Sequence, residues 1–331
     1  MRYKTRKYIL KFPSARTGRS WLKTIRFRSH GNLSLYKFLK IFTHNIQEDE
    51  IMDRANGVAY NFILAIFPAI IFLFTLIPYI SNYFPEITTG SIMKFLSEIM
   101  PPSMYQVASE TVLDIVSNQR GGLLTLGFFL ALFLSTNGVT SLMKAFNACY
   151  KTVDRRSFFR TRLTAFGLTL MLVIALLSAV TLLIVGQIAI EYATSHLSDF
   201  SHLRFDKYSI YFLLALRFFV IFAVFFIAIS CIYFFGPAVH YNWRFFSIGS
   251  VIATLAGLGL SYGFSFYVTN FGSYNKVYGS IGALIALMVW IQLLTVVLLF
   301  GYEINASLHH GRKVESIETH RRTGKIEKSY R

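Results

Sequence analysis

Six long stretches that are almost free of charge dominate this 331-residue sequence. Each is longer than the roughly 20 apolar residues that an α-helix, rising 1.5 Å per residue, needs to cross a hydrocarbon core of about 30 Å. A closed transmembrane barrel would show short alternating strands instead. The sequence therefore predicts an all-α polytopic membrane protein with six transmembrane helices, at about residues 55–80, 121–146, 163–190, 208–235, 245–270 and 277–303.

The position of the basic residues predicts the orientation of the chain. Charged residues make up only 15% of the sequence, yet the net charge is +17. Thirteen Lys and Arg lie in residues 1–54, six in residues 144–162 and seven after residue 302, whereas the alternate connections hold few. Because cytoplasmic loops of membrane proteins carry an excess of Lys and Arg, both termini are predicted to be cytoplasmic.

The ends of the chain differ in composition from the predicted membrane domain, residues 31–310. Residues 1–30 hold ten basic residues mixed with aromatic ones, a pattern that suits single-stranded nucleic acid or anionic lipid headgroups. We favour the headgroups and expect no nucleic acid partner, because membrane spans follow directly. Apolar spacing from residue 33 to 42 predicts a short amphipathic interfacial helix. Residues 311–331 are predicted to be a polar, basic, poorly ordered cytoplasmic tail.

The connection between the first two spans, residues 81–120, has helical apolar spacing on either side of Pro101 and Pro102. This pattern predicts two short amphipathic helices. The connection is a packed extracytoplasmic loop or a lid, and the sequence leaves both interpretations open.

The sequence lacks the residue clusters that most enzymes need. A metal-dependent nuclease requires grouped His, Asp and Glu to hold metal and activate water. The grouping that comes nearest to such a cluster is His196, Asp199 and His202, which we interpret as part of a surface loop. Nucleophile-elbow, phosphate-loop and dinucleotide motifs are missing as well. We therefore predict that the protein is not an enzyme and uses no metal and no cofactor.

Polar residues inside the spans are the first candidate site. Arg217 follows ten residues of the fourth run, which places it about 15 Å into the membrane, near the midplane. A charge at this depth is costly and must face a partner or a wet cavity. Arg217 therefore lines a pathway for an anion, or it holds neighbouring helices through carbonyls and the side chains of Gln187 or Gln292. Both interpretations stay open.

A second candidate site lies nearer the cytoplasm. Seven polar residues of the first, second and sixth spans share this depth and could meet in one cytoplasm-facing cavity: Asn56, Tyr60, Asn61, Asn137, Lys144, Glu303 and Asn305. Glu303 is predicted to pair with Arg54 or Lys144. The alternatives are a binding site and a network that pins the helix ends together.

Three segments resemble a known family. The first span reads DRANGVAYNFILAIFPAIIFLF, the second ends in AFNACYKTVDRR, and the last begins YGSIGALIA and closes with GYEINA. These segments are similar to the YihY/BrkB family of bacterial inner-membrane proteins, formerly labelled ribonuclease BN. The resemblance covers roughly residues 45–310. It implies a six-helix inner-membrane protein, associated with virulence and suspected of transport, and it supplies no agreed catalytic residues.

Three functions are compatible with these observations. The leading hypothesis is a transporter or flippase-like carrier of a small or amphipathic solute, anionic solutes included. The alternative is a non-transporting envelope-integrity scaffold, and the least favoured is a ribonuclease. A carrier requires a cavity that reaches the middle of the membrane, a scaffold requires a filled bundle, and a nuclease requires a metal cluster.

Overall fold

The structure is a computed structural model that describes residues 21–27, 33–48, 50–80, 118–150, 152–195, 207–238, 245–270 and 280–322, with scattered residues between 90 and 115. The predictions for the arm at residues 1–20, for most of residues 81–120 and for the loop of His196, Asp199 and His202 lie outside the described residues.

The described chain is a bundle of long helices preceded by a short strand pair and one shorter helix. A two-residue antiparallel ladder pairs β1 (Arg26–Phe27) with β2 (Leu33–Ser34) and leads into helix α1 (Leu35–Glu48). The remaining helices are α2 (Ile51–Ile80), α3 (Gly121–Cys149), α4 (Phe158–Ser195), α5 (Lys207–Phe235), α6 (Ile248–Asn270) and α7 (Ser280–Arg322).

Helices α2 to α7 are each long and apolar enough to cross a membrane, which makes six such helices within the described chain. Large apolar side chains lie exposed along them, among them Phe129, Leu177, Phe219 and Tyr262. Exposed apolar side chains on this scale suit contact with lipid, because lipid tails are as apolar as a protein core. The prediction of an all-α polytopic membrane protein is confirmed.

Neighbouring helices pair in a simple pattern. Helix α2 packs along α3 and also touches α7, α6 packs along α7, and α4 packs against α5. Helix α1 lies against the last part of α7, where Leu33, Phe38 and Leu308 form a small apolar cluster. The predicted interfacial helix is thus present, and it packs on protein along one face.

Helix α7 is longer than the sequence predicted. It does not end near residue 303, and residues 311–322 are helical rather than part of a poorly ordered tail. Contacts with β2 and α1 hold the added turns. The Leu33 side chain lies directly beside Gly311, and Lys37 Nζ donates a 2.7 Å hydrogen bond to Glu315 Oε2.

Candidate functional site

The polar residues of the bundle concentrate at the end where α1 packs, here called the α1 end. It contains the start of α2, the end of α3, the start of α6 and the part of α7 that holds Gly301 to Ala306. Gly301 permits the close contact between α6 and α7. A Cβ atom at Gly301 would lie 2.6 Å from Ala253 Cβ and 2.9 Å from the carbonyl oxygen of Gly249. Only a residue without a side chain fits there.

Asn305 joins α7 to the first turn of α6. Its Oδ1 accepts a 2.8 Å hydrogen bond from the backbone N–H of Gly249, and its Nδ2 donates a 2.8 Å bond to Ser247 Oγ. The first N–H groups of a helix have no partner within the helix and need one from outside. Asn305 therefore caps α6 from a different helix, which fixes the register of α6 against α7.

Glu303 joins α7 to α1. Its carboxylate is 0% exposed, and Oε1 accepts 2.8 Å hydrogen bonds from Asn45 Nδ2 of α1 and from Ser307 Oγ. The predicted pairing with Arg54 or Lys144 is not among the ion pairs between described residues. Lys144 is exposed on another side of the bundle, so it lies away from the buried carboxylate.

Three aromatic rings fill the bundle interior at this end. Tyr302 stacks on Phe146 with ring centroids 4.3 Å apart, and Tyr233 meets both rings edge-on at 5.5 Å. The Tyr233 hydroxyl donates a 2.7 Å hydrogen bond to the carbonyl oxygen of Leu298. All three side chains are buried. This cluster, here called the aromatic floor, closes the interior where α3, α5 and α7 converge.

A second polar network, missed by the sequence interpretation, ties α3 to α5. Asn147 Oδ1 accepts a 2.7 Å bond from the N–H of Ala238, and its Nδ2 donates to Asp154. Asp154 also receives 2.8 and 3.0 Å bonds from Arg156, whose Nη2 reaches the carbonyl oxygen of Gly236 at 2.9 Å. The motif AFNACYKTVDRR contains all three polar side chains, but the backbone that Asn147 and Arg156 bind, just after the end of α5, is visible only in three dimensions.

Acidification is expected to remove the contribution of Asp154 to stability. The hydrogen bond from Arg156 lowers the pKa of Asp154 below its ordinary 3.8. A lowered pKa in the folded protein stabilises it above the ordinary value, and this stabilisation is lost as the pH falls through the folded value. Asp154→Asn should thus be less stable than the parent at pH 7, and the difference should begin to shrink near pH 4 and disappear only as the pH falls through the lowered pKa of the folded protein.

The measurement is thermal unfolding of both proteins in detergent between pH 7 and pH 3. Asp114→Asn is the matched control, because the Asp114–Arg120 pair is about half exposed and such pairs contribute little. A difference between parent and Asp154→Asn that does not change with pH would contradict the prediction.

The structure distributes the seven polar residues of the second candidate site among separate contacts. Asn305 and Glu303 bind α6 and α1 as described. Gln292 Nε2 donates a 2.7 Å bond to Asn56 Oδ1, linking α7 to α2. Asn61 of α2 donates a 3.4 Å hydrogen bond to Ser141 of α3. Asn137 of α3 contacts Arg162 of α4. The side chains of Tyr60 and Lys144 are exposed. These residues therefore contact different neighbours, and the lining of the described cleft includes none of the seven.

Arg217 lies against α4. Its side-chain atoms would be 3.7 to 3.8 Å from a Cβ atom at Gly186. Eighteen residues separate Arg217 from the end of α5 at Phe235, about 27 Å along a helix. Ten residues separate it from the start of α5 at Lys207, about 15 Å along the helix. Gln292 bonds with Asn56 instead, and the side chain of Gln187 lies outside the described part.

An open cleft of about 360 Å³ lies between the middle of α2, the middle of α3 and the first half of α7. Its walls are mostly apolar: Phe62, Ala65, Ile66, Ala69, Ser135, Ile291, Leu294, Thr295 and Leu298. Thr295 bonds to the carbonyl oxygen of its own helix at Ile291, so its hydroxyl adds little polarity. Leu298 lines the cleft and also accepts the Tyr233 hydrogen bond, so the aromatic floor adjoins the cleft on the α1 side.

Within the described part of the chain, His, Cys, Asp and Glu form no group of three that could hold a metal ion. The two cysteines, Cys149 and Cys231, are both free thiols.

Comparison with known proteins identifies the family. The family model described as Virulence factor BrkB matches residues 42–327. The ribonuclease-like protein YfkH of Bacillus subtilis (strain 168) is 32% identical over 84% of this chain and 97% of its own. UPF0761 membrane proteins of Alteromonas mediterranea and Haemophilus influenzae are 25% and 24% identical, over 81% and 86% of this chain and 86% and 99% of their own. No solved structure matches. The chain therefore belongs to the virulence factor BrkB family of membrane proteins.

Proposed function

We propose that this protein is a carrier that moves an amphipathic solute, such as an anionic phospholipid, across the bacterial inner membrane. The open apolar cleft between α2, α3 and α7 is the observation that carries the proposal. Ligand pockets for small molecules have volumes of about 300–1,000 Å³ and mostly apolar walls. A cleft of about 360 Å³ matches an acyl chain better than a small hydrated ion, since few polar groups face it.

The aromatic floor supports this proposal, because it adjoins the cleft at the α1 end, where we propose that it closes the cleft. A carrier exposes its binding site to one side at a time, so a cavity with one sealed end is the arrangement expected of one resting state. We place the sealed α1 end in the cytoplasm, since Lys40, Lys144, Arg155, Arg156 and Arg160 cluster there and cytoplasmic ends carry the excess of basic residues.

We also propose that the protein has no enzymatic activity, although YfkH is named a ribonuclease-like protein. The polar residues of the closing GYEINA motif serve helix contacts: Asn305 caps α6 and Glu303 binds α1. The basic arm at residues 1–20 is proposed to bind anionic lipid headgroups rather than nucleic acid.

A non-transporting scaffold is the second candidate, favoured by the density of hydrogen bonds at the α1 end. The contacts of Asn147, Asp154, Glu303 and Asn305 join α1, α3, α6 and α7 and the segment that follows α5. A network with this many hydrogen bonds suits a rigid scaffold as well as the closed end of a carrier. Measurement of lipid movement separates the two candidates.

Filling the cleft is expected to stop lipid movement. Ala69→Phe adds a ring to a residue that lines the cleft, so a bound chain should be excluded while the fold persists. Purified protein in liposomes with fluorescent phosphatidylglycerol would be treated with dithionite, which bleaches only the outer leaflet. We expect bleaching beyond half of the label with the parent protein, and about half with Ala69→Phe.

Ile70→Phe is the matched control, because Ile70 follows Ala69 on the same helix but is 43% exposed on the lipid side. It should transport like the parent. Bleaching that stops at half of the label for the parent protein, with phosphatidylglycerol and with zwitterionic lipid alike, would favour the scaffold over the carrier.

A further inference from the structure

A row of polar side chains runs along the outside of α3. Asn137, Ser141 and Lys144 are four and three residues apart, so they lie on one face of the helix. The other faces of α3 are occupied: Leu142 and Phe146 belong to the main core, and Val139 and Met143 pack on Ala165 and Leu168 of α4. The polar face therefore points away from the bundle, towards lipid.

Residues of the two neighbouring helices complete this row. Asn61 of α2 donates to Ser141 Oγ at 3.4 Å, and a guanidinium N–H of Arg162 of α4 contacts Asn137 Oδ1. The Arg162 guanidinium also lies over the rings of Phe133 and Phe158, 5.5 and 5.6 Å from their centroids. We call Asn61, Asn137, Ser141, Lys144 and Arg162 the Lys144 face.

The depth of the Lys144 face is unusual for its chemistry. Twelve residues separate Asn137 from the end of α3 at Cys149, about 18 Å along the helix. Polar groups at this depth are costly unless they meet a partner. The guanidinium of Arg162 has five donors, and Lys144 is exposed without an ion-pair partner among the described residues. The sequences of α3 and of α4 up to residue 190 contain no Asp or Glu.

We propose that the Lys144 face binds the phosphate headgroup of an anionic phospholipid in the adjacent leaflet. Lys144 and Arg162 supply the positive charge, and both residue types bind phosphate oxygens strongly. The three neutral polar side chains of the face can donate or accept further hydrogen bonds. The exposed rings of Phe133 and Phe158 flank the row and offer apolar contact to the acyl chains.

This site is separate from the cleft, because α2 and α3 touch between them. The Phe62 ring fills the space beside Gly138, 2.9 Å from where a Cβ atom would lie. The lipid site therefore stands whether or not the cleft carries a solute. A lipid bound here would hold α2, α3 and α4 together from the outside.

Native mass spectrometry of the full-length protein in detergent tests the site, with added dioleoylphosphatidylglycerol or dioleoylphosphatidylcholine. We expect the parent to retain phosphatidylglycerol in preference to phosphatidylcholine. Lys144→Gln should weaken phosphatidylglycerol binding by about fivefold, the value of one cation near a lipid surface, without lowering thermal stability. Arg162→Lys keeps the charge but loses the planar fork, and should weaken binding less than Arg162→Gln.

Arg160→Gln and Lys40→Gln are the controls, because both side chains are exposed cations outside the Lys144 face. These two variants measure how much phosphatidylglycerol binds to the basic surface in general. Both should retain about as much phosphatidylglycerol as the parent. Equal retention of the two lipids by the parent, or equal phosphatidylglycerol loss in Lys144→Gln and Arg160→Gln, would overturn the proposal.

Discussion

Gly249→Ala is expected to destabilise the protein by about 3 kcal/mol or more, the upper range for overpacking a close contact. The new methyl group would overlap the carbonyl oxygen of Gly301 and come within 2.6 Å of Asn305 Oδ1. A backbone oxygen of a packed helix cannot move aside cheaply. Helices α6 and α7 would have to separate, and the hydrogen bond from Gly249 N–H to Asn305 would weaken.

Thermal unfolding in detergent, followed with a thiol-reactive dye, measures this effect because Cys149 is buried in the folded protein. Gly259→Ala on the same helix is the matched control, since no atom lies within 4 Å of its added Cβ. It should be neutral or slightly stabilising, because alanine favours helix over glycine. Equal unfolding temperatures for the two variants would show that α6 and α7 are not in close contact.

The number of membrane helices was predictable because length and apolarity alone decide whether a helix can span a bilayer. The rotation of each helix about its axis was not predictable. In water, an apolar stripe marks the buried face. In a membrane, the lipid side and the core side are both apolar. Asn137 and Glu303 were therefore grouped together from the sequence, although Asn137 contacts α4 and Glu303 contacts α1.

The GYEINA motif shows the same limit at the level of single contacts. Its composition indicated a close-packed, polar helix end, and Gly301 and Asn305 fulfil those roles. Their partners, Gly249 and Ser247, lie more than 50 residues earlier, and no spacing rule connects them. The end of α7 was misjudged for a related reason. Residues 311–322 are polar by composition, and only the contact with α1 explains why they remain helical.

The aromatic floor is the second place where a large effect is expected. Tyr302 is 0% exposed and contacts the rings of Phe146 and Tyr233. Truncating a buried aromatic residue to alanine costs about 3–5 kcal/mol, so Tyr302→Ala should unfold at a much lower temperature than the parent. Tyr302→Phe keeps the ring and its stacking, and it should lose far less stability, which makes it the control for packing.

Tyr302→Leu tests the floor as a gate, because leucine retains apolar packing but leaves part of the ring volume empty. If the floor closes the cleft at the α1 end, lipid movement in liposomes should be faster with Tyr302→Leu than with the parent, in contrast to its arrest in Ala69→Phe. In a scaffold the same substitution would lower stability with no effect on lipid movement. Parent-like movement in a folded Tyr302→Leu protein would exclude a gating role for the floor, since the empty volume lies beside the Tyr233 ring, whose hydroxyl bonds to Leu298 at the edge of the cleft.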